Sequence, residues 1–319
     1  MFKTMMITVT LLLVCGNSWA HHPSGGGATG QAGPVTTVSA STLSKGKLAF
    51  SLQTEYTDFD TFSDEELRGF AEAGKDAHTF DSLFHVFAGA AYGVTDDLTL
   101  GLKIPYVILN NIREAHHDEP EEIHQHGDVK GIGDMTVLGH YRFVKLKEDK
   151  FETSALLGIK VPTGTTNRKD INGERFETEH QPGSGSWDPM IGMAVTKRFD
   201  SLSLDANVLY AFSTEGAQDT DLGDTFHYNG ALAYRAVKGR PSFDLVLEAN
   251  GEWKAEQKIR GVTDENSGGH TLFLSPGVRL SFDSAWSVYL AAGVPVIQEL
   301  NGVQTDTRLR TSLGVSISF

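Results

Sequence analysis

In residues 243–254, "FDLVLEANGEWK", two kinds of side chain take turns. Phe243, Leu245, Leu247, Ala249, Gly251 and Trp253 share one parity; Asp244, Glu248, Asn250, Glu252 and Lys254 share the other, with Val246. Successive strand residues point to opposite faces, so the segment has one apolar and one wet face. A helix would spread those carboxylates around its whole circumference. The period is therefore two, and the segment reads as a strand.

The same alternation marks 97–108, 134–143, 151–164, 202–213 and 286–296, and more weakly 47–58, 82–94, 189–199, 225–236, 271–282 and 308–319. Roughly twelve strands result, the even number that bacterial membrane barrels use. The links between them alternate in length. Links 95–97, 144–150, 200–201, 237–242 and 283–285 are short, whereas 59–81, 109–133, 165–188, 214–224, 258–270 and 298–307 are long. This predicts an all-β fold, an antiparallel transmembrane β-barrel with short periplasmic turns, long extracellular loops and both termini periplasmic. A soluble β-sandwich gives no reason for such sorting. The last strand, 308–319, would pair with the first so that no backbone edge meets lipid.

Composition agrees. Mean hydropathy is -0.22, charged residues make up 21%, and no apolar run reaches the length of a membrane-spanning helix. Half of every barrel strand faces water, so a membrane barrel reads as polar overall. A net charge of -14 argues against a nucleic-acid partner.

Residues 1–20 read as a secretory signal peptide: Lys3, the apolar run "MMITVTLLLVC", and the small-x-small site Ser18-Trp19-Ala20. The single cysteine, Cys15, lies inside it; Val14 is too bulky for a lipoprotein signal there. The mature chain would then have no thiol for a disulfide, a metal or a nucleophile. Residues 21–45, rich in Gly, Ser and Thr, read as a flexible N-terminal segment too short for a folded plug, and 46–319 as the barrel. Ser63 and Glu66 form a capping-box pattern that predicts a short helix to about Ala73.

Three phrases carry a family pattern: "KGIGDMTVLGHYRF" (130–143), "LGIKVPTGTTNRKD" (157–170) and "QPGSGSWDPMIGMAVTKRF" (181–199). Gly133-Asp134, Pro162-Thr163-Gly164 and Gly183-Ser184-Gly185-Ser186-Trp187 follow in order. The chain thereby resembles the meta-pathway of phenol degradation family of outer-membrane barrel "transporter" proteins. That resemblance implies a barrel of the Gram-negative outer membrane that passes aromatic or other small solutes. The terminal Phe319 resembles the signal by which barrel-assembly machinery receives its clients.

If the apolar faces meet lipid, the other faces line a lumen. Parity places Glu55, Lys103, Asp134, His140, Arg142, Lys160, Arg198 and Asp205 inside, with His227, Arg235, Asp244, Glu248, Glu252, Arg279 and Arg310. Lys or Arg at the midplane of the lipid face would cost ~2–4 kcal/mol, but is cheap around water. These residues are expected to line a pore that selects solutes, or to fill a closed lumen with salt bridges. Twelve strands give an intermediate bore suited to small solutes. Aromatics near strand ends (Tyr56, Tyr92, Tyr106, Tyr141, Phe143, Phe199, Phe212, Tyr234, Phe282, Trp286, Phe319) read as interfacial girdles.

The loop "EAHHDEPEEIHQHGD" (114–128) sets His116, His117, His124 and His126 among carboxylates. Zn²⁺, Cu²⁺ or Ni²⁺ would suit such donors, although no established ligand spacing occurs. A loop that holds water or shares divalent ions with lipopolysaccharide is the plainer reading. His21 and His22, with a free amine after cleavage, could chelate Cu²⁺. No other cofactor is expected, and no enzyme: the nucleophile elbow, HExxH and P-loop are all missing from the sequence.

Overall fold

The computed structural model describes residues 34–148, 150–282 and 286–319. The predicted signal peptide and His21 and His22 lie outside the described residues. Twelve strands build the barrel: β1 (Leu48–Phe59), β2 (Ser82–Thr95), β3 (Leu98–Ala115), β4 (Met135–Leu146), β5 (Phe151–Val161) and β6 (Asp188–Arg198). The second half is β7 (Leu202–Ala211), β8 (Thr225–Val237), β9 (Ser242–Lys254), β10 (Gly269–Ser281), β11 (Trp286–Leu300) and β12 (Thr307–Ser318).

Each strand pairs antiparallel with its chain neighbours, and β1 bonds both β2 and β12, so the sheet closes on itself. Across the closure Glu55 faces Ser312 and Tyr56 faces Thr311. The wall thus has no open edge, which is what a wall in hydrocarbon requires.

The parity reading holds strand by strand. On β9, Leu245, Leu247 and Trp253 are exposed on the outside, while Asp244, Val246, Glu248 and Asn250 are buried inside. The predicted girdle residues Tyr92, Tyr141, Phe143, Phe199, Phe212, Tyr234, Phe282 and Trp286 are exposed on the outer surface. The short-turn end and the long-loop end fall where the loop lengths put them.

Two parts differ from the sequence reading. First, β3 does not stop near residue 108 but continues to Ala115. Its far half pairs on one side with a returning strand, His124–Ile132, and on the other with Ala77–Thr79. The loop 109–133 is thus largely a hairpin that extends the sheet past the barrel. Helix α1 (Asp64–Glu72), with the Ser63–Glu66 capping box in place, buries Leu67 and Ala71 with Ala77, Ala115 and Val303 of these loops. Second, the described part of the segment expected to be flexible, Pro34 to Leu43, is buried throughout and forms neither helix nor strand.

Candidate functional site

The inner wall is charged, and its charges are matched locally. Every predicted lumen residue is buried or half-buried: Lys103, Asp134, His140, Arg142, Lys160, Asp205, His227, Asp244, Glu248, Arg279 and Arg310 are buried, and Arg198, Arg235 and Glu252 half-buried. At the short-turn end Arg142 reaches Asp97 (2.8 Å) and Glu152 (2.7 Å), and Glu152 also binds Arg198 (2.8 Å). Arg235 pairs with Asp244 at 2.7 Å, and His227 lies 3.3 Å from Glu252. Toward the long loops Lys160 meets Asp188, with Asp134 at 3.8 Å. Lys103 sits 3.9 Å from the centre of the Phe87 ring and Arg310 3.9 Å from that of Phe273, both cation–π contacts.

Through the short-turn half of this lumen runs the strap Pro34–Leu43. Its backbone finds partners on the wall rather than in a sheet. The Glu248 carboxylate accepts from the amides of Val35 (2.7 Å), Thr36 (3.0 Å) and Thr37 (3.3 Å), and from the Thr36 hydroxyl. Val38 N donates to Asn207 (2.9 Å), Ala40 N to Thr196 (2.8 Å), and Leu43 N to Thr99 (2.9 Å). Ser41 donates to Glu152 at 2.7 Å, and Arg279 donates to the Pro34 carbonyl. Val38 and Ala40 pack on Leu138, Leu156, Ala194 and Leu209, and Val35 on Ala233, Val246 and Tyr289. The strap therefore crosses the bore from β9 and β10 to β3. Sequence reasoning missed it because a segment without its own period gives no strand or helix signal.

The three family phrases meet at one point. The Asp134 carboxylate accepts from Gly164 N (2.8 Å), Ser184 N (2.7 Å) and the Ser184 hydroxyl (2.7 Å). Gly164 and Gly183 pass so close that a Cβ on Gly164 would stand 2.6 Å from the Gly183 Cα. Only glycine permits that approach. The motif is a knot that ties the loop between β5 and β6 to the start of β4.

Above the strap, beside this knot, lies a cavity of ≈ 120 Å³. Leu83, Phe87, Pro105, Val107, Leu109 and Met190 give it apolar lining; Lys103, Lys160, Lys254, Asp188 and His180 give it charged and polar groups. It opens toward a second, more polar space lined by His78, Glu179, His180 and Gln257.

Of the four loop histidines, His116 and His124 have their rings 5.2 Å apart, and none of the four belongs to a metal-sized group of three donors among the described residues. His117 lies 2.9 Å from Asp76, His124 3.5 Å from Glu119, and His116 3.6 Å from Glu114. His126 stands between Glu114 (3.2 Å) and Asp170 (2.9 Å). Each ring sits beside a carboxylate, and Glu114 serves both His116 and His126. The contact with Glu114, and then that with Asp170, raises His126 to about 9 against the opposing effect of burial. Burial alone would raise Glu114, but His116 and His126 hold it well below the usual carboxylate range. A histidine whose folded pKa is raised stabilises fully below about 6.5 and loses that contribution as pH passes about 9. The hairpin 116–128 should therefore resist proteolysis at pH 6 and 7 and be cut faster at pH 10; equal cutting rates would contradict the pairing.

A family model described as "Putative MetA-pathway of phenol degradation" matches residues 69–299. No curated protein matches the chain. Among solved structures, the chain is similar to an outer membrane channel from Pseudomonas putida F1, with 16% identity and a TM-score of 0.62 over 90% of this chain and all (100%) of that one. It also aligns with the transport unit of the autotransporter AIDA-I from Escherichia coli, at 10% identity and a TM-score of 0.50, covering 86% of this chain and 90% of that one. The toluene transporter TbuX from Ralstonia pickettii aligns at 10% identity and a TM-score of 0.42, over 87% and 90%. At such identities the first two likenesses establish the fold alone, that of outer-membrane barrels.

Proposed function

This chain belongs to the family described as "Putative MetA-pathway of phenol degradation", and on that premise we propose that it is a passive, non-enzymatic outer-membrane channel for small, monocyclic aromatic solutes. The observation that carries the reading is the lumen cavity, whose lining combines apolar side chains with charged ones. A phenol or an aromatic acid combines the same two chemistries. The cavity volume of ≈ 120 Å³ is near the ~150 Å³ of an engineered cavity that admits benzene. The ring would lie on Leu83, Phe87, Val107 and Met190, and its oxygen would face Lys103 and Lys254. In this orientation the long loops face the cell exterior, and Phe319, exposed and edge-on to Phe50 at 6.3 Å, ends the strand that assembly machinery would read. The acidic outer loops would meet lipopolysaccharide.

Proteoliposomes test the reading. Vesicles holding the purified chain should admit phenol-sized aromatic acids faster than sugars of similar mass. Met190→Trp, which fills the cavity, should slow the aromatic and leave the gel heat-shift of the folded barrel unchanged. Equal rates for both solute classes in the wild type would refute the aromatic preference. Lys103→Glu should also move the reversal potential toward cations, since it inverts a charge on the path; an unmoved potential would put the path elsewhere.

The strap favours a second reading, in which the barrel is held shut until Pro34–Leu43 moves. It differs in one outcome, the conductance of the intact chain.

A further inference from the structure

We propose that His78, Glu179 and His180 form a binding site for a Zn²⁺-class divalent cation at the long-loop end of the lumen. Among the described residues, two triads of His and carboxylate donors come close enough to share an ion: these three, within 4.8 Å of one another, and Glu114, Glu177 and His180. The first triad has the more complete geometry. Metal bonds of about 2.0–2.2 Å put tetrahedral donors about 3.3–3.6 Å apart. His78 Nδ1 lies 3.7 Å from Glu179 Oε1, and His180 Nε2 lies 3.6 Å from that same oxygen. These spacings are too long for hydrogen bonds and close to the edges of a coordination tetrahedron.

The His180 ring is 5% exposed, and its Nε2 has no hydrogen-bond partner. An unpaired buried nitrogen is costly unless something fills its lone pair. Around the triad the supporting contacts are already in place. Gln257, itself buried, donates its amide to Glu179 Oε2 and so leaves Oε1 for an ion. Glu114 Oε1 stands 3.8 Å from His180 Nδ1, so a further carboxylate faces the ring on the side away from Nε2. Two histidines and one carboxylate are a donor set for Zn²⁺, with a fourth position left for water or solute. The site would staple the Ala77–Thr79 strand to the Thr178–His180 turn, two long loops far apart in sequence. His180 and Glu179 also line the solute cavity, so the ion would stand at its mouth.

The three donors belong to the long loops, so ion binding there does not depend on conduction through the barrel. The test is calorimetric titration of Zn²⁺ into chelator-stripped, full-length protein in detergent. One saturable site per chain is expected, retained when His21, His22, His116 and His117 are all replaced by Ala. His180→Ala and His78→Ala should each weaken it at least tenfold. Glu179→Gln, which keeps the Gln257 contact available, should do the same while the heat-shift on gels confirms a folded barrel. Absence of saturable binding in the wild type would overturn the proposal, as would binding lost with the four-histidine replacement and kept in His180→Ala.

Discussion

Removing Pro34–Leu43, with the rest of the chain kept, should raise single-channel conductance several-fold in a planar bilayer. The strap fills the short-turn half of the bore and is held by side chains of β3, β5, β6, β7, β9 and β10. Its apolar residues Val35, Val38, Ala40 and Leu43 are buried. When it leaves, Glu248, Asn207, Thr196 and Thr99 lose their strap partners but gain water, and Thr196 keeps its bond to Asp205, so the wall tolerates the loss. The barrel closes through β1 and β12 without help from the strap, so the deleted chain should still fold and show its heat-shift on gels. Glu248→Ala frees only the first three amides of the strap and should give unstable, flickering currents between those of the wild type and the deletion. An unchanged conductance in the deletion would mean that the narrowest point lies elsewhere.

Replacing Asp134 by Ala should produce the largest loss of stability of any single lumen substitution in the long-loop half. One carboxylate there holds Gly164, Ser184 and its hydroxyl, and lies 3.8 Å from Lys160. Breaking a buried charge pair from one side costs about 3–5 kcal/mol because the partner is stranded. Lys160 keeps Asp188 and a 2.6 Å bond to the Ser184 hydroxyl, which places the expected loss at the lower end of that range. Asp134→Asn preserves shape and one acceptor, so it should cost less than Asp134→Ala. Urea unfolding of the refolded barrel in detergent measures both. A midpoint for Asp134→Ala equal to that of the wild type would show that the knot carries no stability.

The barrel was legible in the sequence because lipid and water impose opposite demands on alternate residues. Leu245, Leu247 and Trp253 against Asp244, Glu248 and Asn250 state the rule, and β9 obeys it. The residues that parity assigns to the inner face are buried or half-buried for the same reason. The strap was not legible, because "PVTTVSASTLS" borrows its hydrogen bonds from a wall built out of distant residues. Its polar contacts are scattered over Glu248, Asn207, Thr196 and Thr99, and their inward placement alone does not say that chain rather than water will meet them. The family phrases were visible as a pattern, but that Gly164 and Gly183 touch over Asp134 appears only once β4, β5 and β6 are assembled. The histidines were legible only in part. His116 and His124, close in sequence, have their rings 5.2 Å apart across the hairpin, but His78 and His180 are distant in sequence and their rings come equally close, which no spacing in the sequence announces.

Passage of small solutes through the lumen is measured most directly by current across a planar bilayer that contains only this chain. The account predicts discrete unitary steps from the wild type or, if the strap holds it shut, from the chain lacking Pro34–Leu43, reduced reversibly by a monocyclic aromatic acid. Folded, heat-shiftable protein of both forms that inserts and never conducts would contradict it.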